Sequence, residues 1–230
     1  MPGILYAIPT PLGGAAADAL PASALDQVRS LRHFVVENAK SARAFLKDAG
    51  CDPKQARIEE LNDRSSASAL LQPLAGGDDI GLLSEAGCPA IADPGAKLVE
   101  AAHAAGIRVV PLIGPSSIVL ALMASGLEGQ RFAFCGYLPR EAAARDRRIR
   151  ELEARSRRER ETQIFIETPY RNDALCSALL QTCSPGTLLC IASDLTLPAE
   201  SIRTRAVREW RKAPRGIGKR PTVFLLLSGS

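Results

Sequence analysis

Between Ile80 and Ser117 the chain reads IGLLSEAGCPAIADPGAKLVEAAHAAGIRVVPLIGPSS, in which two short apolar segments each run into a loop of Gly, Pro, Ser and acid. The pattern is strand, loop, helix, strand, loop. Leu82 and Leu83 lead into Ser84-Glu85-Ala86-Gly87, Asp93 is placed to cap a helix with Pro94 at its first position, and Gly106 closes that helix. Val109-Val110 then leads into Gly114-Pro115-Ser116-Ser117. In a parallel sheet such loops gather at the carboxyl ends of the strands, where open α/β proteins hold their ligands. The run therefore predicts a small-molecule pocket.

The alternation extends in both directions. In the first half, expected strands Ile4–Ile8, His33–Glu37, Arg57–Leu61, Ile80–Ser84 and Arg108–Pro111 alternate with helical stretches near 24–31, 41–49, 66–75 and 94–105, which predicts a parallel α/β sheet. The second half opens with a helix near 117–125. It continues with strands at Phe132–Gly136, Gln163–Glu167, Thr187–Ala192, Ser201–Ala206 and Thr222–Leu227. Its last strands lack a long crossover, so part of this sheet is expected to be antiparallel. The fold class is thus α/β, with an N-terminal parallel-sheet domain over 1–115 and a C-terminal mixed-sheet domain over 116–230.

With 230 residues, 46% of them hydrophobic, the chain is long enough to bury a full core. No stretch approaches the roughly 20 apolar residues of a membrane span, and MPGILYAIPT at the start lacks the basic and apolar regions of a secretory signal. A cytoplasmic setting is expected. The six cysteines (Cys51, Cys88, Cys135, Cys176, Cys183, Cys190) form no C-x-x-C pair, several lie in apolar runs, and they read as reduced structural thiols. The sequence has only two histidines, His33 and His103, and the second lies in an expected Ala-rich helix beside no second ligand, which argues against a His-based metal site and against a Cys-His or Ser-His nucleophile. Walker, H-E-x-x-H and G-x-G-x-x-G signatures are absent from the sequence.

Charge is uneven. Arg140 to Arg160 holds nine Arg against five acids, net +4, and Arg203 to Arg220 holds eight basic residues against Glu209, net +7, on a chain of net charge +4. Two basic segments on a mildly acidic body suit a polyanion such as RNA. For the first segment, mixed signs at helical spacing also describe a solvated, salt-bridged helix. For the second, a plain basic surface loop is the other reading. An aromatic content of 4% argues against a stacking platform for single-stranded RNA.

Several motifs recur in order: Pro9-Thr10-Pro11-Leu12-Gly13, Ser84-Glu85-Ala86-Gly87-Cys88-Pro89, Asp93-Pro94-Gly95, Gly106-Ile107-Arg108-Val109-Val110-Pro111, Gly114-Pro115-Ser116 and Glu167-Thr168-Pro169-Tyr170-Arg171. Together they resemble the tetrapyrrole methylase superfamily, and within it the ribosomal RNA small-subunit methyltransferase I branch. The resemblance implies a methyltransferase that uses S-adenosyl-L-methionine, leaves S-adenosyl-L-homocysteine, folds the cofactor into a cleft between two α/β domains and forms a homodimer. It also implies residue roles. Leu12 and Gly13 border the cofactor, Ser84, Glu85, Ala86 and Gly87 wall it, and Asp93 shapes the loop near the methionine part. Ser116 and Ser117 offer hydroxyls and helix N-terminal amides to a carboxylate, while Tyr137, Leu195, Thr222 and Val223 face the adenine. Asp93 and Ser116 also read as simple N-caps, and the Gly and Pro residues as turn chemistry.

Departures from the branch cluster on the acceptor side. Where the branch shows Glu-Asp-Thr-Arg, Asn-Glu-His-Asn-Glu and Arg-Glu-Leu-Thr-Lys, this sequence has Glu37-Asn38-Ala39-Lys40, Asn62-Asp63-Arg64-Ser65 and Ser193-Asp194-Leu195-Thr196-Leu197, and it ends at LLLSGS without the C-terminal region of many members. The acceptor expected by resemblance is a ribose 2′-hydroxyl of small-subunit ribosomal RNA. A hydroxyl benefits from a general base, for which Glu37, Glu167 and Asp194 are candidates because they end expected strands. A methyltransferase for a small molecule or tetrapyrrole and a non-catalytic cofactor- or RNA-binding module are the alternatives.

Overall fold

The computed structural model describes residues 2–62, 65–212 and 216–229. The chain divides into two compact units, Met1–Ser116 and Ser117–Ser230.

The first unit is a five-stranded sheet of β1 (Leu5–Ile8), β2 (His33–Val36), β3 (Arg57–Glu60), β4 (Ile80–Leu83) and β5 (Val109–Pro111) in the order β3-β2-β4-β1-β5. Every pairing is parallel, with Leu5 beside both Ile80 and Val109 and His33 beside Arg57 and Ile80. Alternation along the strands feeds two cores. Ile8, Phe34, Val36 and Leu83 pack under α1 (Ala16–Ala19), α2 (Ala22–Ser30) and α3 (Ala39–Asp48). Leu5, Val35, Ile80 and Leu82 pack on the opposite face, under α4 (Ala67–Leu70), α5 (Gln72–Ala75) and α6 (Ala96–Ala104). Gly81 permits the tight layer on the first face, since a Cβ there would lie 2.7 Å from Ile8 Cδ1 and 2.8 Å from Phe34 Cδ1.

Two local expectations change. The stretch near 66–75 is two short helices broken at Leu71, with Pro73 in the first turn of the second and no N–H there to continue the ladder. The helix expected from Pro94 starts at Ala96 with Gly95 in the cap position at φ 133°, so Asp93 is not its cap. The preceding loop takes left-handed turns at Ala90 and Ala92 that carry the chain past Asp93 before the helix begins. The other end is as expected: Gly106 sits at φ 68°, with Gly106 N–H on His103 O (3.0 Å) and Ile107 N–H on Ala102 O (2.9 Å), a Schellman closure.

The second unit holds α7 (Ser117–Ser125), β6 (Phe132–Tyr137), α8 (Ala142–Glu159), β7 (Thr162–Ile166), a single 3₁₀ turn (Pro169–Arg171), α9 (Asn172–Thr182), β8 (Leu188–Ser193), β9 (Ser201–Ala206), α10 (Val207–Trp210) and β10 (Thr222–Leu227). Its sheet runs β6-β7-β10-β8-β9, with β6 and β7 parallel and the other pairings antiparallel, a mixed sheet as expected. Phe165 and Phe224 stack at 5.9 Å in the core that carries Ile149 and Leu152 of α8 and Leu175 and Leu179 of α9. The Arg-rich α8 is capped by the Glu141 carboxylate, which accepts from the amides of Ala143 and Ala144. Its surface is laced by Arg148–Glu151 and Arg155–Glu161 pairs, and Glu153 on its buried side accepts from Ser184 N–H at 2.7 Å.

Candidate functional site

In the first unit the connections leaving the neighbouring ends of β1 and β4 go to opposite faces of the sheet, because β1 continues into α1 and α2 and β4 into α6. A crevice opens at such a switch point. The two loops are tied there backbone to backbone, Thr10 N–H to Gly87 O at 2.9 Å and Gly87 N–H to Thr10 O at 3.0 Å. Gly87 takes φ 83°, and a Cβ on it would lie 3.4 Å from Leu12 Cδ2 and 3.8 Å from Pro115 O. Ser84 is buried beneath this clasp, its hydroxyl donating to Gly87 O at 3.3 Å, while the Thr10 hydroxyl donates to Ser84 O at 3.3 Å. Cys88 Sγ donates to Pro115 O at 3.4 Å and so joins the loop after β4 to that after β5.

Three carboxylates collect beside the clasp. Glu37, at the end of β2, accepts the Glu85 N–H at 3.0 Å through Oε2, and Glu85 Oε1 accepts from the Ser41 hydroxyl at 3.2 Å. The Asp93 carboxyl is pushed up to about 6, chiefly by burial and next by the Glu37 charge; the neighbouring Ser84 hydroxyl opposes the shift and Glu85 adds to it. Among the described residues no Lys or Arg pairs with Glu37, Glu85 or Asp93. The loop cluster thus carries net negative charge that a cation can neutralise. Asn38 caps α3, its Oδ1 accepting from Lys40 N–H at 2.9 Å and Ser41 N–H at 3.2 Å, so the change from Asp at this position keeps the capping chemistry. Of Asn62-Asp63-Arg64-Ser65, residues 63–64 lie outside the described residues. Gly13 and Ala86 lie in the clasped loops, Ser116 ends the first unit, and Ser117 begins α7.

In the second unit the strand directions bring Tyr137, Glu167, Asp194, Leu195, Thr222 and Val223 to one end of the sheet, with Tyr137 beside Ile166, Ile166 beside Val223 and Ser193 beside Thr222. Tyr137 follows a bulge after Phe134 and is 56% exposed, whereas Leu195 is buried. Glu167, also buried, accepts the Thr168 N–H at 2.7 Å and faces Arg171 Nη2 at 3.0 Å. Asp194 takes φ 51°, gives its N–H to Pro221 O (3.0 Å) and pairs with Arg220 Nε (2.6 Å). Of the three proton-acceptor candidates, Glu37 alone has no cationic partner among the described residues.

Several residues that build this end were not singled out by the sequence. Asn172 is fully buried and donates through Nδ2 to Arg220 O (2.7 Å) and Gly218 O (3.2 Å), and Asp173 Oδ1 accepts from Ile217 N–H (2.7 Å). The sole signal was an Asn-Asp pair opening the apolar run ALCSALL directly after the Tyr170-Arg171 motif.

A doubly wound parallel sheet followed by a mixed one is the fold of the methyltransferase CobJ, whose crystal structure superposes with a TM-score of 0.66 over 98% of this chain and 94% of that one at 18% identity. Uroporphyrin-III-C-methyltransferase from Thermus thermophilus superposes at 0.59, over 99% and 93% of the two chains, with 19% identity. The chain belongs to the Tetrapyrrole (Corrin/Porphyrin) Methylases, whose sequence profile matches residues 5–210, and is a methyltransferase. It is 32% identical over 207 residues to the Ribosomal RNA small subunit methyltransferase I of Pseudomonas aeruginosa, covering 90% of this chain and 71% of that protein. With the enzymes of the same name from Vibrio cholerae and Bacillus subtilis it shares 34% identity, over 90% and 78% of this chain and 69% and 59% of theirs.

Proposed function

We propose that this methyltransferase takes its methyl group from S-adenosyl-L-methionine and places it on a ribose 2′-hydroxyl of small-subunit ribosomal RNA, acting as a cytoplasmic homodimer. The observation that carries the donor is the uncompensated Glu37, Glu85 and Asp93 cluster at the β1/β4 switch point, which fits a ligand bearing a sulfonium and an ammonium. The acceptor follows the names of the relatives and the basic segments.

Bound there, the donor supplies an electrophilic methyl whose sulfur leaves as a neutral thioether. The chain's task is then to position and to accept a proton. Leu12, Gly13 and the Ser84–Gly87 backbone form the wall, and Gly87 takes the positive φ that turns it. Asp93 holds the methionine end, and Ser116 and Ser117 hold its carboxylate. Tyr137, Leu195, Thr222 and Val223 hold the adenine. Glu37 accepts the hydroxyl proton through Oε1, which has no protein partner among the described residues while Oε2 is fixed by the Glu85 amide. Glu167 and Asp194, each held against an arginine, keep loop geometry.

Calorimetric titration with S-adenosyl-L-methionine, combined with methyl transfer to small-subunit ribosomal RNA, tests this. Asp93→Ala weakens donor binding at least tenfold, and Glu37→Gln, which removes one charge of the cluster, weakens donor binding only a few-fold yet loses transfer. A folded parent protein that binds no donor overturns the reading, and a Glu37→Gln variant with full turnover removes Glu37 as the base.

A further inference from the structure

The edge strand β9 shows two different faces. Thr204 turns toward α7 and donates to Ser125 O at 2.6 Å, so Ser201, Arg203 and Arg205 stand on the other face, beside Ser193, Ile191 and Leu189 of β8. On that face a cavity of about 220 Å³ is walled by Ser193, Ser201, Arg203, Trp210, Ile217 and Arg220 among others. This is below the roughly 300–1,000 Å³ of pockets that enclose a drug-sized ligand, so it admits one base-sized group and leaves the rest of a nucleotide at its open rim.

Its chemistry is specific. The Trp210 indole is fixed by its N–H to Leu189 O at 2.8 Å, and the Arg205 guanidinium lies over the ring, 5.3 Å from the centroid. Arg220 is already paired with Asp194. By contrast, the exposed Arg203 guanidinium and the Ser201 hydroxyl have no protein partner among the described residues. Among the described residues of the segment 203–220, seven basic residues stand against Glu209, a positive balance on the chain that borders the opening. An unpaired guanidinium and a hydroxyl suit a phosphate, and the indole offers a surface for a base.

We propose that this cavity is a nucleotide subsite, with Arg203 and Ser201 on the phosphate and the base against Trp210. It extends the RNA reading above, with the nucleotide supplied by the RNA strand. A free mononucleotide has the same chemistry and is separated from RNA by the test.

Trp210 is the only tryptophan in the chain, so emission excited beyond the absorption of the three tyrosines reports this cavity. The parent, Arg203→Ala and, as a surface control, Lys97→Ala are titrated with a fluorophore-labelled single-stranded oligoribonucleotide, followed by anisotropy and by Trp210 emission, and separately with the four nucleoside monophosphates. Saturable RNA-induced change in Trp210 emission is expected, about tenfold weaker in Arg203→Ala, with a salt slope lower by about one and no change in Lys97→Ala. RNA that raises anisotropy while leaving Trp210 emission and Arg203→Ala affinity at parent values overturns the subsite and leaves the RNA reading standing. Absent RNA binding with an Arg203-dependent response to a monophosphate removes the RNA source and keeps the cavity as a free-nucleotide site. No emission response to any of these probes overturns it altogether.

Discussion

The candidate ends of the two sheets are built by different means. In the first unit, the loops after β1, β4 and β5 are held by backbone conformation and close approach: the Thr10–Gly87 clasp, left-handed turns at Ala90 and Ala92, and a Gly114 whose Cβ would lie 2.5 Å from Pro9 Cβ. In the second, the chain around β10 is held by side chains reaching across the sequence, Asn172 and Asp173 to residues 217–220 and Asp194 to Arg220. The first construction leaves carboxylates unpaired. The second pairs Glu167 with Arg171 and Asp194 with Arg220. A cationic ligand finds a counter-charge at the loop end of the first sheet, and a loop end that must admit such a ligand gains from walls that need no ion pairs of their own.

Three substitutions sharpen the contrast. Gly114→Ala sets a methyl 2.5 Å from Pro9 Cβ and 2.7 Å from Leu20 Cδ2, of which the proline ring is the stiffer, and is expected to lower stability by about 3 kcal/mol. Thermal unfolding reads this directly, and a shift under about 2 °C would show that the close approach relaxes cheaply. Asn172→Ala removes two partly buried hydrogen bonds, to the Gly218 and Arg220 carbonyls, and costs about 2 kcal/mol, with hydrogen exchange rising over 216–221 and staying at parent rates in β1 and β4.

Asp93→Asn has the smallest effect and a definite sign. A folded pKa of about 6 against an ordinary 3.8 means that the ionised form is disfavoured, so the stabilisation present at low pH is lost as pH rises through 6. The asparagine variant is therefore more stable than the parent at pH 7.5, by about 1 kcal/mol once solvent screening is allowed for, and the two converge below pH 4. Donor affinity should run the other way. In the parent it falls as Asp93 takes up a proton below pH 6, and in the variant it is flat.

The same contrast decides what could be read from the sequence. Gly87, Gly114 and the Asp93-Pro94-Gly95 turn are local signals, visible because a loop made of backbone geometry must write itself in Gly and Pro. Even so, the local signal misassigned Asp93 as a cap, since Asp before Pro looks alike whether a helix starts at once or after two more residues. The expected β-strands are present, as their apolar runs are separated by unambiguous loops. α9 was missed because its start is fixed by Asn172 bonding to a segment more than forty residues later, which no window of local pattern contains. The Glu37–Glu85 bond was equally invisible, although each residue was singled out separately.

The bond from Cys88 to Pro115 O gives the loops a clock. Burial and the nearby Asp93 raise the Cys88 thiol above its ordinary range, so in the closed arrangement it is a poor nucleophile toward an alkylating reagent. Separation of the loops after β4 and β5 would break this bond and open the thiol to the reagent. Cys183, buried and pushed up to about 12, stays silent over the same interval. The alkylation rate of one native cysteine thus measures how often these two loops separate, without any label being built into the protein.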